Sequence, residues 1–556
     1  MDPTSNEEKG HGIEAAPEKR ELAPVISYTE GDLKDINDHH IEDGQYKRSF
    51  STHHVHIISL GSNIGSGLFI GTGSALASGG PGNMVIAYSL VCSCVWAVLQ
   101  SLTEMTIAFP VSGNFIDYAD RWVDPALAFG AGFAEWLGWT AIVGAEAAFF
   151  NILVQFWAEG SFPQAASMTL FTGATCAIFL MPNKVFAWFE YCTSLVKVFM
   201  FILVIFVGLA ITLGAGPDGY LHTGEYWTSL PAFKNGFSGF ANAMILATWA
   251  VGDQIFIGVM GGEAKNPRFS MGHACKLVPY RVSFFYMSCI VFITLLVPSD
   301  DPNLLGGKGV TASPFIIAIQ KVNIKGLPHL LNACMMFGIM AIAAESIYLS
   351  SRMLRTMAHQ RLIPGWVAKC DSKGRPRTSL AITCAFGVLF TYINLSSGGK
   401  VALNWLVQIT AASFYVNWII VSFTSWRFRR ALKIQNDPIF QELYAWKMTS
   451  YPTPPAWLLT ICGLLLISSF TLAIKPPGAI LADFNASNFF QYTLGIWLIV
   501  VVTVCYKLIY RTPWRKLEDV DLTTGRRQMS EEDIAELNHY YSQSKARRFL
   551  SYVQLW

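Results

Sequence analysis

Twelve stretches of mostly apolar residues, each about 20 long, follow one another along this chain, and each could cross about 30 Å of hydrocarbon as a helix. They lie near 55–77, 84–108, 126–157, 166–182, 186–214, 238–261, 280–298, 327–356, 378–394, 402–426, 455–474 and 489–510. In lipid every backbone N–H and C=O must pair within the protein, which leaves helices or closed barrels as spanning elements. Runs of this length read as helices, so the fold class is an all-α polytopic membrane protein with 12 transmembrane helices. The fourth and ninth runs are the shortest, and Pro182-Asn183 could interrupt one long helix instead of separating two. Charged residues make up 14% of the 556 positions, against about 25% in a soluble domain, too few to coat several water-soluble units. A net charge of +2 offers no basic field for phosphates, so no nucleic acid is called for. Eleven cysteines form no CxxC pair, and HExxH, G-x-S-x-G and GxxxxGK[ST] are absent. No metal, no cofactor and no enzyme chemistry is indicated.

Three regions are expected. Residues 1–50 form a disordered polar tail, 51–515 the transmembrane domain, and 516–556 a C-terminal tail. Lysine and arginine near span ends stay on the cytoplasmic side, and on these boundaries about 32 of the 40 fall on the side of the N-terminus, with about 6 opposite. Both termini are therefore expected in the cytoplasm. Asn394-Leu-Ser and Asn485-Ala-Ser fall in loops assigned to the outer face, which agrees weakly. His53-His54-Val-His56 reads as a basic anchor at the entry of span one, not as a metal site.

Within span one, Gly61-Ser-Asn-Ile-Gly-Ser-Gly-Leu-Phe-Ile-Gly-Thr-Gly73 carries five glycines in thirteen residues and makes a poor helix. Two readings follow. One is a seam of small residues, Gly61-x-x-x-Gly65 and Gly67-x-x-x-Gly71, that lets helices approach closely. The other is a discontinuous helix restarting near Ser66-Gly67, whose free N–H groups and positive dipole end face a carboxylate. Span six supplies a matching candidate, because Thr248-Trp-Ala-Val-Gly-Asp-Gln254 places Gly252, Asp253 and Gln254 at mid-membrane. Glu104, Glu135, Glu146, Glu190, Lys197 and Glu345 are further ionisable residues inside spans, and Lys507 lies inside the last one. Glu190 and Lys197 stand two turns apart on one face of span five. Lys197 and Glu146 sit deepest, and a buried lysine gives up its proton readily, so these two are candidates for proton coupling.

At these same residues the chain resembles the fungal amino acid permeases of the amino acid–polyamine–organocation superfamily. The likeness runs from about 47 to 515 through His54-Val-His-Ile-Ile-Ser-Leu-Gly61, Ile64-Gly-Ser-Gly-Leu-Phe69, Ala77-Ser-Gly-Gly-Pro-Gly82, Leu102-Thr-Glu-Met105, Phe109-Pro-Val-Ser-Gly-Asn-Phe115 and Val123-Asp-Pro-Ala-Leu127. It continues through Gly262-Glu-Ala-Lys-Asn-Pro-Arg268, Ser350-Ser-Arg-Met-Leu354, Lys373-Gly-Arg-Pro376, Asn404-Trp405 and Arg427-Phe-Arg-Arg-Ala431. The resemblance implies a leucine-transporter-like fold, an inverted 5+5 repeat plus two peripheral helices, and proton-coupled uptake of L-amino acids across the plasma membrane. It puts the substrate carboxylate on the backbone of Gly65, Ser66 and Gly67. The ammonium falls on carbonyls near Ile64 and in the Trp249 to Gly252 stretch, and Lys197 stands where a coupling group replaces sodium. The tail lysines become points of action for ubiquitin-ligase adaptors.

One departure stands out. The family's Gly-Thr-Glu-Leu-Val-Gly in span six is replaced so that Asp253 lies two residues before the usual acidic position, where Ile255 stands. Asp253 or Glu135 could then face a cationic amino acid, a polyamine or another amine. A nutrient receptor that binds without transporting is the alternative from another class.

Overall fold

The computed structural model describes residues 65–554 apart from 112, 182, 217–218, 263–266, 305–312, 372–374, 396–398, 449 and 480–484. The N-terminal tail, the histidine anchor and Ile64 lie outside the described residues, as do the side chains of Asp253 and of 260–262. Among the described residues the chain is helical and has no strand. Among the described residues nine helices are long and apolar enough to cross a membrane, and two shorter apolar ones stand at the expected fourth and ninth positions. In chain order the elements used below are α1 (Thr72–Ala108, entered through a π-helical turn Gly67–Gly71), α2 (Phe115–Trp122), α3 (Pro125–Ala158), α4 (Gln164–Leu180), α5 (Asn183–Thr212), α6 (Gly236–Val251), α7 (Ile255–Gly262), α8 (Pro267–Leu296), α9 (Leu327–His359), α10 (Arg377–Ile393), α11 (Gly399–Ile434), α12 (Thr453–Ile474), α13 (Ala486–Tyr510), α14 (Glu531–Ser542) and α15 (Lys545–Gln554).

The run Gly67–Ala108 spans 42 residues, about 63 Å at 1.5 Å per residue, far more than one crossing needs. Gly80 divides it. Its φ of 75° and ψ of 171° lie outside the helical region, and Pro81 follows. A glycine is required here: a Cβ would stand 2.7 Å from Pro231 O and 2.8 Å from Ala232 O. The segment before α6 staples the bend through Gly82 N–H to Ala232 O (2.8 Å) and Lys234 N–H to Gly79 O (2.9 Å). The Pro182 question resolves into two helices, since α4 stops at Leu180 with Met181 in extended conformation.

Helices α3, α6 and α11 form the interior, with 78–83% of their apolar windows buried, whereas α13 buries 28% and α5 33%. The outer helices leave Trp188, Phe199, Phe206 and Leu508 uncovered, as expected of surface that faces acyl chains.

Helix α3 begins where its sequence dictates. Asp124 caps it by accepting from Ala126 N–H (2.8 Å), with Pro125 in the first turn where no N–H is needed. The same carboxylate holds Lys507 of α13, a lysine counted inside a span on sequence grounds. Asn114 caps α2 and donates to Thr106 Oγ1 (2.9 Å) and Gly258 O (2.8 Å), tying α1, α2 and α7 together.

One boundary differs from expectation. Span seven was placed at 280–298, but α8 starts at Pro267, because Arg268 is held by Tyr444 O (2.7 Å) and the polar turns therefore stay helical. The C-terminal segment is folded against the bundle. Arg515 N–H reaches Val123 O (2.9 Å), Arg527 N–H reaches Ala108 O (3.0 Å), and Arg526 grips both oxygens of Asp437 at 3.0 Å. Leu522 and Leu537 are buried there, and Tyr540 packs on Phe269 and His273 of α8.

Candidate functional site

The glycine-rich stretch enters its helix at Gly65, whose carbonyl accepts from Leu68 and Phe69 N–H, both at 3.2 Å. One acceptor shared by donors three and four residues on, followed by a π turn, marks backbone departing from regular α geometry. Packing explains the glycines. A Cβ at Gly67 would meet Ala250 Cα at 2.6 Å and one at Gly71 would meet Trp249 at 2.8 Å, both on α6. At Gly65 it would meet Ile342 of α9 at 2.9 Å. The small-residue seam is therefore real for Gly67-x-x-x-Gly71, and it presses the start of the first helix onto the C-terminal end of α6.

The middle of span six was expected to open. Instead, Gly252–Gln254 forms one 3-10 turn and the path stays helical from Gly236 to Gly262. Such a turn switches the acceptor from four residues back to three, so carbonyls at the junction lose helical donors. Side chains supply them: Tyr286 of α8 donates its O–H to Ala250 O (2.6 Å), and Gln254 Nε2 donates to Val251 O (3.1 Å). Two carbonyls of the Trp249 to Gly252 stretch thus already accept a side-chain donor. The Trp249 indole stacks on Phe149 at 5.5 Å. Gly252 lies against Phe414 of α11, where a Cβ would come within 2.7 Å of the ring. Asp253 contributes its backbone to the turn.

Three candidates that sequence reasoning named separately come together. Ser66 Oγ donates to Glu146 Oε1 of α3 at 2.5 Å, both groups being buried. The charge of Lys197 on α5 acts on the same carboxylate. Lys197 is fully buried, with Nζ 4.0 Å from Glu190 Oε1. Glu146 Oε2 has no hydrogen-bond partner among the described residues. The start of the first helix, a carboxylate and a lysine therefore form one polar cluster inside the bundle. Nothing in the spacing announces it, since Ser66 and Glu146 are 80 residues apart.

Against Gly65 and Gly252 stands an apolar group separate from the main core: Trp139 and Ile142 of α3, Phe256 of α7, Ile342 and Leu349 of α9, and Phe414 of α11. Trp139 meets Phe414 edge to face at 5.7 Å. Glu135 is engaged beneath it. One oxygen accepts from Trp139 Nε1 (2.8 Å) and the other from Asn417 Nδ2 (2.5 Å), so the carboxylate braces α3 against α11. The four-residue spacing of Glu135 and Trp139 was the available signal for this bond.

Glu104, one of the ionisable residues inside spans on sequence grounds, is buried and takes both arms of Arg429 of α11 together with Met448 N–H (2.7 Å). Removing one partner of such a pair strands the other charge, at a cost of about 3–5 kcal/mol. Glu104→Ala should therefore lower the thermal unfolding temperature in detergent well below that of the unmodified protein. An unchanged temperature would show that the clasp carries no stability.

The profile of the family described as amino acid permease matches residues 54–519. The amino-acid permease GAP3 of Candida albicans is 32% identical over 519 residues, 93% of this chain and 85% of its own length. The general amino-acid permease GAP1 of Saccharomyces cerevisiae is 30% identical over 504 residues, 88% of this chain and 83% of its own. The S-adenosylmethionine permease GAP4 of Candida albicans is 30% identical over 488 residues, 87% and 79% of the two chains. A bundle of long apolar helices around a buried polar cluster, with this match along nearly its whole length, belongs to the amino acid permease family: a multi-pass membrane transporter, not an enzyme.

Proposed function

We propose that the chain carries out proton-coupled uptake of L-amino acids across the plasma membrane by alternating access, with both termini in the cytoplasm. The observation that carries this is the hydrogen bond from Ser66 to Glu146 beside the charge of Lys197. It sets an acid and a base against the backbone proposed to hold the substrate carboxylate. Dividing the Gly67–Ala108 run at Gly80 and adding α4 and α10 to the nine long helices supports a count of twelve, arranged as an inverted 5+5 repeat with α12 and α13 peripheral.

The coupling follows from charge. A substrate carboxylate seated at Gly65, Ser66 and Gly67 lies near Glu146, and two ionised carboxylates about 5 Å apart repel by about 3 kcal/mol at an effective dielectric of about 20. A proton on Glu146 removes that repulsion, so proton and substrate each favour the binding of the other. Lys197 offsets the buried negative charge while the site is empty. Closely packed glycines at Gly67 and Gly71 give the first helix and α6 a surface over which to shift, and the 3-10 turn at Gly252–Gln254, between α6 and α7, is the part of span six best suited to bend.

The apolar group at Trp139, Phe256, Ile342 and Phe414 supports a substrate with an apolar side chain. A second reading, transport of cationic amino acids or other amines, draws on Asp253 and on the likeness to the S-adenosylmethionine permease. Glu135 gives it less support, because both its oxygens are already engaged. Uptake in a permease-deficient host, with twenty amino acids and polyamines as competitors at two pH values, tests both. Acid-stimulated uphill uptake supports the transporter, and binding without accumulation would make the chain a receptor.

A further inference from the structure

We propose that Glu190 is a second proton carrier, passing the coupling proton between Lys197 and the aqueous compartment at the start of α5. The inference rests on the proton-coupled reading above and extends it to a residue which that reading leaves unused. Glu190 stands seven residues before Lys197 on one face of α5, about 10 Å nearer the helix start at 1.5 Å per residue. In the proposed orientation that start faces the cytoplasm. Both side chains are buried, at 2% and 0% exposure, and the lysine reaches back along the helix to within 4.0 Å of Glu190 Oε1. Neither oxygen of Glu190 accepts a hydrogen bond of ordinary geometry among the described residues, although the Ser194 hydroxyl lies beside it.

An ionised carboxylate in a bundle interior normally collects several donors. This one has a lysine just beyond hydrogen-bond distance instead. Aromatic contacts flank the pair. On the side of α9, Phe186 of α5 stacks on Tyr348 at 4.7 Å, and on the side of α8, Phe201 meets Phe285 at 4.7 Å. Helix α9 carries Glu345 and Arg352 near Tyr348, and α8 carries Arg281; the charge of Lys197 acts on Glu190. Lys197 is likewise the charge that acts on Glu146. Lys197 thus pairs with Glu190 at 4.0 Å and lies near enough for its charge to reach Glu146. With all three ionised the trio holds one negative charge in excess, and a single added proton makes it neutral, which a low-dielectric interior favours.

The transfer balances. The Lys197 ammonium gives a proton to a Glu190 oxygen, so an N–H bond breaks and an O–H bond forms. The neutral amine then takes the proton from the Glu146 carboxylic acid. Glu190 releases its own proton to water at the start of α5. One proton has moved, and all three groups end ionised. Closing 4.0 Å to a working hydrogen bond takes a shift of about 1 Å, within the reach of a lysine side chain.

The test uses purified full-length protein in proteoliposomes, with two readouts for each variant: accumulation of labelled amino acid under an imposed pH gradient, and counterflow exchange at equal pH, which needs no net proton movement. Glu190→Gln is expected to lower the ratio of accumulation to exchange at least tenfold, the factor that one pH unit supplies. Glu190→Asp should restore most of it. A Glu190→Gln protein that accumulates substrate with the unmodified pH dependence would overturn the role of Glu190. So would equal loss of both readouts in the two variants, which would make the residue structural. Accumulation by the unmodified protein without any gradient would remove the proton-coupled reading itself, a failure visible before any variant is made.

Discussion

Lys197→Ala is expected to abolish proton-driven accumulation while the protein still reaches the membrane. The lysine is fully buried, lies 4.0 Å from Glu190, and acts on Glu146, which itself holds Ser66. Without it, two carboxylates remain inside the bundle with no positive charge to offset them. Stranding a buried charge in this way costs about 3–5 kcal/mol, which the carboxylates avoid by keeping their protons throughout the cycle. A site that never releases its proton cannot use a gradient. Accumulation should then fall from the limit of about tenfold per pH unit to simple equilibration. Lys197→Arg separates charge from chemistry, because arginine keeps the positive charge but does not deprotonate. It should bind substrate and still fail to couple. Uptake of labelled amino acid at two external pH values, with surface protein quantified, reads both variants. Normal pH dependence in Lys197→Ala would take the lysine out of the mechanism.

The second large effect belongs to Gly67. Its missing Cβ would stand 2.6 Å from Ala250 Cα and 2.8 Å from Ala250 Cβ, so the obstacle is backbone that cannot turn aside. Gly67→Val must separate the first helix from α6. Overpacking of this kind costs about 1–3 kcal/mol. The displacement also draws Ser66 away from Glu146, with which it makes a 2.5 Å bond. Transport should drop at least tenfold, since hydrogen bonds to charged groups contribute about 1.5–3 kcal/mol. Gly65→Ala provides the comparison: it would meet Ile342 Cγ1 at 2.9 Å, a side chain able to change rotamer, and should lose much less. Initial uptake rates corrected for surface protein decide between them. Equal tolerance at both positions would mean that the close approach to α6 is not needed.

Much of the scaffold could be read from the residues because lipid imposes simple rules. Apolar length marked the helices: the run placed from 126 begins one residue after α3 does, and the gap left between 77 and 84 holds the bend at Gly80. The start of α8 was hidden, since a helix that continues beyond hydrocarbon can carry Arg268 and Lys276 and loses its hydropathy signal there. Within the site, Ser66, Glu146 and Lys197 were each conspicuous, as polar groups in lipid must be. Their meeting was not. It depends on how three helices pack, and contacts across 80 residues leave no periodic trace. The middle of span six was read as opened because Gly252 and Asp253 weaken a helix. Local weakness sets where a helix can change, and the donors supplied by Tyr286 and Gln254 allow the change to stop at a 3-10 turn.

The most direct measurement is substrate flux into proteoliposomes of the unmodified protein under an imposed, outside-acid pH gradient, with and without a protonophore. The cluster of Ser66, Glu146 and Lys197 requires uphill accumulation that grows with the gradient and collapses when the protonophore is added. Accumulation indifferent to the gradient, or driven by sodium at equal pH, would contradict it.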